Sequence, residues 1–263
     1  MSSLQLRNVC ASPWGEALLK NITFTLEPGT IMGLAGPNGS GKSSLLHLIA
    51  GDIESDSGQL IFDDRALHEW STHERACHMA FLPQMSLLSF PYTVEEVVML
   101  GRTPHSSGYQ ADRDVVEQAL QLTDTATLRH RLYTQLSGGE KQRTQLARIF
   151  AQVCGEESLT GRLLLLDEPT SALDLAHQQQ VLSAVRQLAR RGCAVVLVIH
   201  DLNLAASIAD QILVLNKGQQ AALGRPKQVL TTELFKEVFT VDVTVSSHPT
   251  EGYPMITPHR LTC

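Results

Sequence analysis

An α/β architecture built on a mainly parallel sheet is what this sequence predicts, and three observations predict it. Short apolar runs alternate with helix-period segments, a glycine-rich loop joins one run to one helix, and a pair of carboxylates closes another run. Taken in order, Leu4–Val9 and Ile22–Leu26 alternate as antiparallel strands do and lead into the turn Glu27-Pro28-Gly29, which suggests a small β layer. Ile31–Ala35, Met79–Leu82, Leu163–Leu166, Ala194–Ile199 and Ile212–Leu215 are near-continuous apolar runs, the pattern of strands buried on both faces. Lys42–Ala50, Val94–Leu100, Asp114–Leu122, Glu140–Val153 and Leu175–Arg190 repeat their apolar positions at helical spacing. Right-handed crossovers would place those helices on both faces of the sheet.

The stretch from Gln84 to Leu136 mixes helical pattern with loops rich in Ser, Gly and Pro, as expected of a helical subdomain between two motif-bearing halves. One domain over 1–263 is expected, with 1–84 and 137–263 as its core and 85–136 as the helical subdomain. The tail beyond Val241 is weakly patterned and expected at most to add an edge strand.

Composition narrows the function. A chain of 263 residues that is 43% hydrophobic and 18% charged buries a sizeable core rather than staying disordered. A net charge of −6 with no basic stripe argues against nucleic acid as a partner. Cys10, Cys77, Cys154, Cys193 and Cys263 form no C-x-x-C pair, which fits free packing thiols in a reducing compartment. With no apolar run of about 18 residues and no signal-like leader, the chain is expected to meet a membrane only through a partner.

The chemistry lies in three short segments. Gly36-Pro37-Asn38-Gly39-Ser40-Gly41-Lys42-Ser43 has G-x-x-x-x-G-K-S spacing between a predicted strand and a predicted helix. Its glycines let consecutive N–H groups converge on phosphate oxygens, the helix start adds its positive end, Lys42 reaches the β and γ phosphates, and Ser43 offers a hydroxyl to Mg²⁺. Leu163-Leu164-Leu165-Leu166-Asp167-Glu168 puts two carboxylates at a strand end, where a parallel sheet opens its ligand crevice. Asp167 is suited to Mg²⁺ and Glu168, facing the opposite way, to polarising an attacking water. Leu136-Ser137-Gly138-Gly139-Glu140 opens another helix with bare backbone donors, and one nucleotide has little use for two such loops. The economical solution is that Ser137–Gly139 serve the nucleotide of a second copy in a homodimer.

Together these segments resemble the nucleotide-binding domain of the ABC ATPase family over nearly the whole chain: Walker A at Gly36–Ser43, Walker B at Leu163–Glu168 and the signature motif at Leu136–Glu140. Phe81-Leu82-Pro83-Gln84 resembles the Q-loop, Ser171-Ala172-Leu173-Asp174 the D-loop, and His200-Asp201 the switch histidine. The resemblance implies a P-loop NTPase fold that binds ATP through Gly36, Pro37, Asn38, Gly39, Ser40, Gly41, Lys42, Ser43 and Ser44. It implies Mg²⁺ at Ser43, Gln84 and Asp167, partly through water, and catalytic roles for Glu168, His200 and Gln84.

One position departs from the pattern. Trp14 before Gly15 stands where relatives carry an aromatic, often Tyr, and it suits either stacking on adenine or a plain hydrophobic anchor. The segments from Ser86 to Arg102, Ser171 to Gln178 and His200 to Ala206 resemble the hemin-import ATPases of the iron-chelate and vitamin B12 importer group. That likeness implies permease subunits docking beside Phe90 and Tyr92, a periplasmic or surface haem-binding protein upstream, and a peripheral place on the cytoplasmic face of the inner membrane. Siderophore or cobalamin import is the alternative. A soluble ABC ATPase is remote, because no heptad run or cysteine-pair metal spacing is present.

Overall fold

A computed structural model describes residues 4–13, 15, 18–84 and 88–259. Its strands are β1 (Leu4–Ala11), β2 (Leu19–Leu26), β3 (Ile31–Ala35), β4 (Ser57–Phe62), β5 (Arg65–Ala66), β6 (Met79–Leu82), β7 (Leu163–Asp167), β8 (Ala194–Val198), β9 (Gln211–Asn216), β10 (Gln219–Gly224), β11 (Val243–Ser247) and β12 (Pro254–Pro258). Its principal helices are α1 (Lys42–Ala50), α2 (Thr72–His78), α3 (Val94–Met99), α4 (Tyr109–Leu122), α5 (Gly138–Val153), α6 (Leu175–Arg190) and α7 (Leu202–Ile208).

The main sheet runs β5-β4-β1-β2-β10-β9-β3-β8-β7-β6. Strands β9, β3, β8, β7 and β6 are mutually parallel, while β2, β1, β4 and β5 pair antiparallel as the predicted β layer. The continuous apolar runs have a direct cause: alternate residues enter opposite cores. Leu164, Leu166, Val195 and Leu197 join the core beneath α3–α6. Leu163, Leu165, Ala194 and Val196 join the core between α1 and the β layer. With both faces covered, neither position can be polar.

Helices α3, α4 and α5 pack on one another, and their apolar stripes Val94/Val97/Val98, Val115/Val116/Ala119/Leu120 and Leu146/Ala147/Ile149/Phe150 are buried. Helix α4 begins at Tyr109, ahead of the expected Asp114, because its first turn is polar and solvent-facing and carries no apolar period. The tail corrects the expectation of an edge strand. Strands β11 and β12 pair with each other in a separate two-stranded sheet, and Asn203 on α7 anchors β12 by donating to Ile256 O (3.2 Å) and accepting from Ile256 N (2.7 Å). Of the cysteines read as packing residues, Cys154 and Cys193 are buried and Cys10 and Cys77 half-buried, whereas Cys263 lies outside the described residues.

Candidate functional site

The order β3-β8-β7-β6 brings four carboxyl-terminal strand ends side by side, and each carries a predicted residue: the glycine-rich loop after β3, His200 after β8, Asp167 and Glu168 at β7, and Gln84 after β6. At about 4.8 Å between neighbouring strands, residues dispersed through the chain become one crevice.

Gly36 holds φ 145°, and a Cβ there would come within 2.2 Å of the Leu215 carbonyl oxygen, so only glycine lets the loop start so close to β9. The loop wraps onto α1, where Lys42 Nζ donates to the carbonyls of Gly36 (2.9 Å) and Pro37 (3.0 Å). Burial lowers the Lys42 pKa, while the carboxylates of Asp167 and Glu168 pull it back up. Gly39 and Gly41 also take positive φ, whereas Pro37, Asn38, Ser43 and Ser44 keep side chains at least partly open to solvent.

Asp167 is buried, and its Oδ1 finds no hydrogen-bond partner among the described residues. Burial pushes its carboxyl above the usual range, opposed by a hydrogen bond from Ser43. A desolvated carboxylate beside a hydroxyl is a hard-oxygen pair of the kind Mg²⁺ takes, so the residues present fit that ion. Glu168 lies one residue on at φ 52°, its N–H donating to Val198 O (3.1 Å) and its own carbonyl accepting from Ser171 Oγ (3.1 Å). Gln84 Nε2 (3.0 Å) and His200 Nε2 (2.5 Å) both donate to Glu168 Oε1, which leaves Oε2 as the acceptor for a water. The left-handed turn at Glu168 and the hydrogen bond of Gln142 Nε2 to its carbonyl (3.4 Å) are features sequence reasoning missed, and no local pattern announces them.

Ser137 caps α5 through a reciprocal box: its Oγ accepts from Glu140 N (3.4 Å), and Glu140 Oε2 accepts from Ser137 N (2.7 Å). Gly139 presses on the D-loop segment, where a Cβ would sit 3.1 Å from Ala172 O. Among the described residues no hydrogen bond joins Ser137, Gly138 or Gly139 to the glycine-rich loop. Trp14 lies outside the described residues. Cavities of about 860 Å³ by Thr30, Arg225 and Tyr253 and about 830 Å³ by Gly51, Trp70 and Arg75 lie away from this crevice.

A phosphate-binding loop and an acid pair at the same end of one parallel sheet, with a single strand between them, belong together in a P-loop nucleoside triphosphatase, and that is the class this fold and site define. Comparison with known proteins narrows it. The ABC transporter family model matches residues 19–171, and the chain belongs to that family. It is 51% identical to the hemin import ATP-binding protein HmuV of Pseudomonas entomophila, covering 91% of this chain and 93% of that protein. With the hemin import ATP-binding protein HmuV of Gloeobacter violaceus it shares 45% identity over 93% of this chain and 90% of the relative. Among solved structures, a metal-chelate type ABC transporter in an inward-facing conformation superposes with TM-score 0.81, at 29% identity and 99% coverage of both chains. A dimeric bacterial ABC transporter cassette gives TM-score 0.74 at 25% identity, covering 84% of this chain and 98% of the cassette. As an ABC transporter ATPase the chain binds ATP and hydrolyses it in support of transport, and it works as a dimer with a membrane permease. Among the described residues no helix is long and apolar enough to cross a membrane.

Proposed function

We propose that this chain powers hemin import through its permease. The observation that carries the reading is the identity to hemin import ATP-binding proteins from widely different bacteria across nearly the full length of each. In this reading 1–84 and 137–263 form the nucleotide-binding core and 85–136 the helical subdomain, and the assembly sits on the cytoplasmic face of the inner membrane, fed by a periplasmic or surface haem-binding protein. Docking beside Phe90 and Tyr92 is supported by their exposure of 62% and 41%.

Two copies face head to tail. The loop Gly36–Ser44 of one holds the ATP phosphates, and Ser137, Gly138 and Gly139 of the other close on the γ-phosphate, with the backbone N–H groups of Gly138 and Gly139 at the start of α5 aimed at it. Mg²⁺, held by Ser43, Asp167 and Gln84, would neutralise charge on the β and γ phosphates. Glu168 polarises the water through Oε2, while Gln84 and His200 fix its carboxylate at Oε1 and so orient it. The metal-chelate type neighbour favours a second reading, uptake of a siderophore or cobalamin by the same chemistry. Membranes lacking this protein, rebuilt with it and its permease, decide between them: hemin uptake that requires ATP is expected, and uptake of another chelate with none of hemin would replace the first reading with the second.

A further inference from the structure

The segment Gly101–His105, just beyond the aromatic pair, has no part in the crevice, yet it is bound tightly. Arg102 is only 5% exposed, and every nitrogen of its guanidinium is engaged. Nε donates to Asp112 Oδ1 (2.9 Å), Nη2 to Ser107 Oγ (2.9 Å), and Nη1 to the carbonyls of Ala151 (2.8 Å) and Cys154 (2.6 Å). Ser107 Oγ in turn donates to Asp112 Oδ1 (2.7 Å). His105 Nε2 donates to Gln152 O (2.8 Å), and burial lowers its pKa, so the ring is a neutral donor there.

These acceptors are carbonyls at the last turn of α5, which lack helical partners and carry the negative end of the helix dipole. Gly101 permits the approach: a Cβ would stand 2.1 Å from Arg148 O. On the other side, Gln152 Nε2 donates to Ala76 O (2.9 Å) and Met79 O (3.1 Å), tying the same turn to the strand that ends near Gln84. The far end of α5 is therefore pinned both to the segment after α3 and to β6. Its near end, about 24 Å away at 1.5 Å per residue, is Ser137.

We infer that Arg102 is a positioning residue for ATP hydrolysis: by clamping the last turn of α5 to the segment beyond the permease-facing aromatics, it makes that helix a rigid arm that sets where Ser137 meets the nucleotide of the second copy. The inference rests on the reading of Ser137–Gly139 given above. A small tilt at the pinned end is magnified at the signature end, whereas the phosphate loop, on a different strand, is untouched.

The test uses the full chain carrying Glu168→Gln, with a fluorescent ATP analogue reporting nucleotide affinity and sedimentation reporting ATP-dependent dimerisation. Arg102→Gln is expected to leave nucleotide affinity within about twofold while weakening dimerisation about tenfold or more, and Arg102→Lys to recover part of the loss. Parallel loss of both, or of neither, overturns the inference, and a thermal melt in each variant separates parallel loss from unfolding. Ser137→Ala is run alongside. If Ser137→Ala is inert, the signature reading fails and this inference fails with it; if it impairs dimerisation while Arg102→Gln does not, only the arm is wrong.

Discussion

Asp167 and Glu168 are neighbours with opposite environments, and their substitutions should separate. Burial holds the Asp167 carboxyl above its unfolded value, so the folded chain binds that proton more tightly and stability is lost as pH rises through the folded value. The charged form of this carboxyl is a net cost to the nucleotide-free fold. Asp167→Asn should therefore raise its stability by about 0.5–2 kcal/mol while abolishing Mg·ATP turnover. Thermal melts at pH 7 check this, and a variant less stable than wild type would contradict it. Glu168→Gln keeps the shape that Gln84 and His200 grip and removes the charge that polarises water, so it should bind ATP, cease turnover and accumulate an ATP-bound dimer. Stopped turnover without any dimer in gel filtration with Mg·ATP would break the link between the two. Lys42, Asp167 and Glu168 were legible because their chemistry is written in adjacent letters. The convergence of Gln84 and His200 on one oxygen was not, since it depends on strand order alone.

At the scale of elements, the caps and close contacts carry the predictions. Ser137→Ala removes the side-chain half of the capping box on α5 and should cost about 1 kcal/mol of stability, read from the urea midpoint. Gly101→Ala drives a methyl group against the Arg148 carbonyl and should cost about 1–3 kcal/mol; an unshifted midpoint would show that the contact relaxes freely. The buried strands could be read from sequence because both faces must be apolar. Strand β4 could not, because its first three residues are exposed; its turn, Asp63-Asp64 with both residues at positive φ, was the overlooked signal. Strand β10, exposed at alternate residues and rich in Gln and Ala, likewise left little pattern to find.

For the whole molecule, the decisive feature is that the two segments proposed as halves of a nucleotide site are joined within one chain by no hydrogen bond among the described residues. The loop before α1 and the cap of α5 make sense as partners only across two copies. Motif order suggests this proposed division of labour, while the arm inferred through α5 depends on side-chain contacts far apart in sequence, such as Arg102 to Cys154. Mixing two crippled chains tests the division most directly. Lys42→Ala destroys the phosphate loop and Ser137→Arg blocks the signature end, so each homodimer should be inactive. A mixed dimer regains one complete site, and ATP turnover should reappear on mixing. Turnover that stays absent in the mixture, or full activity of Ser137→Arg alone, would contradict a site shared between two chains.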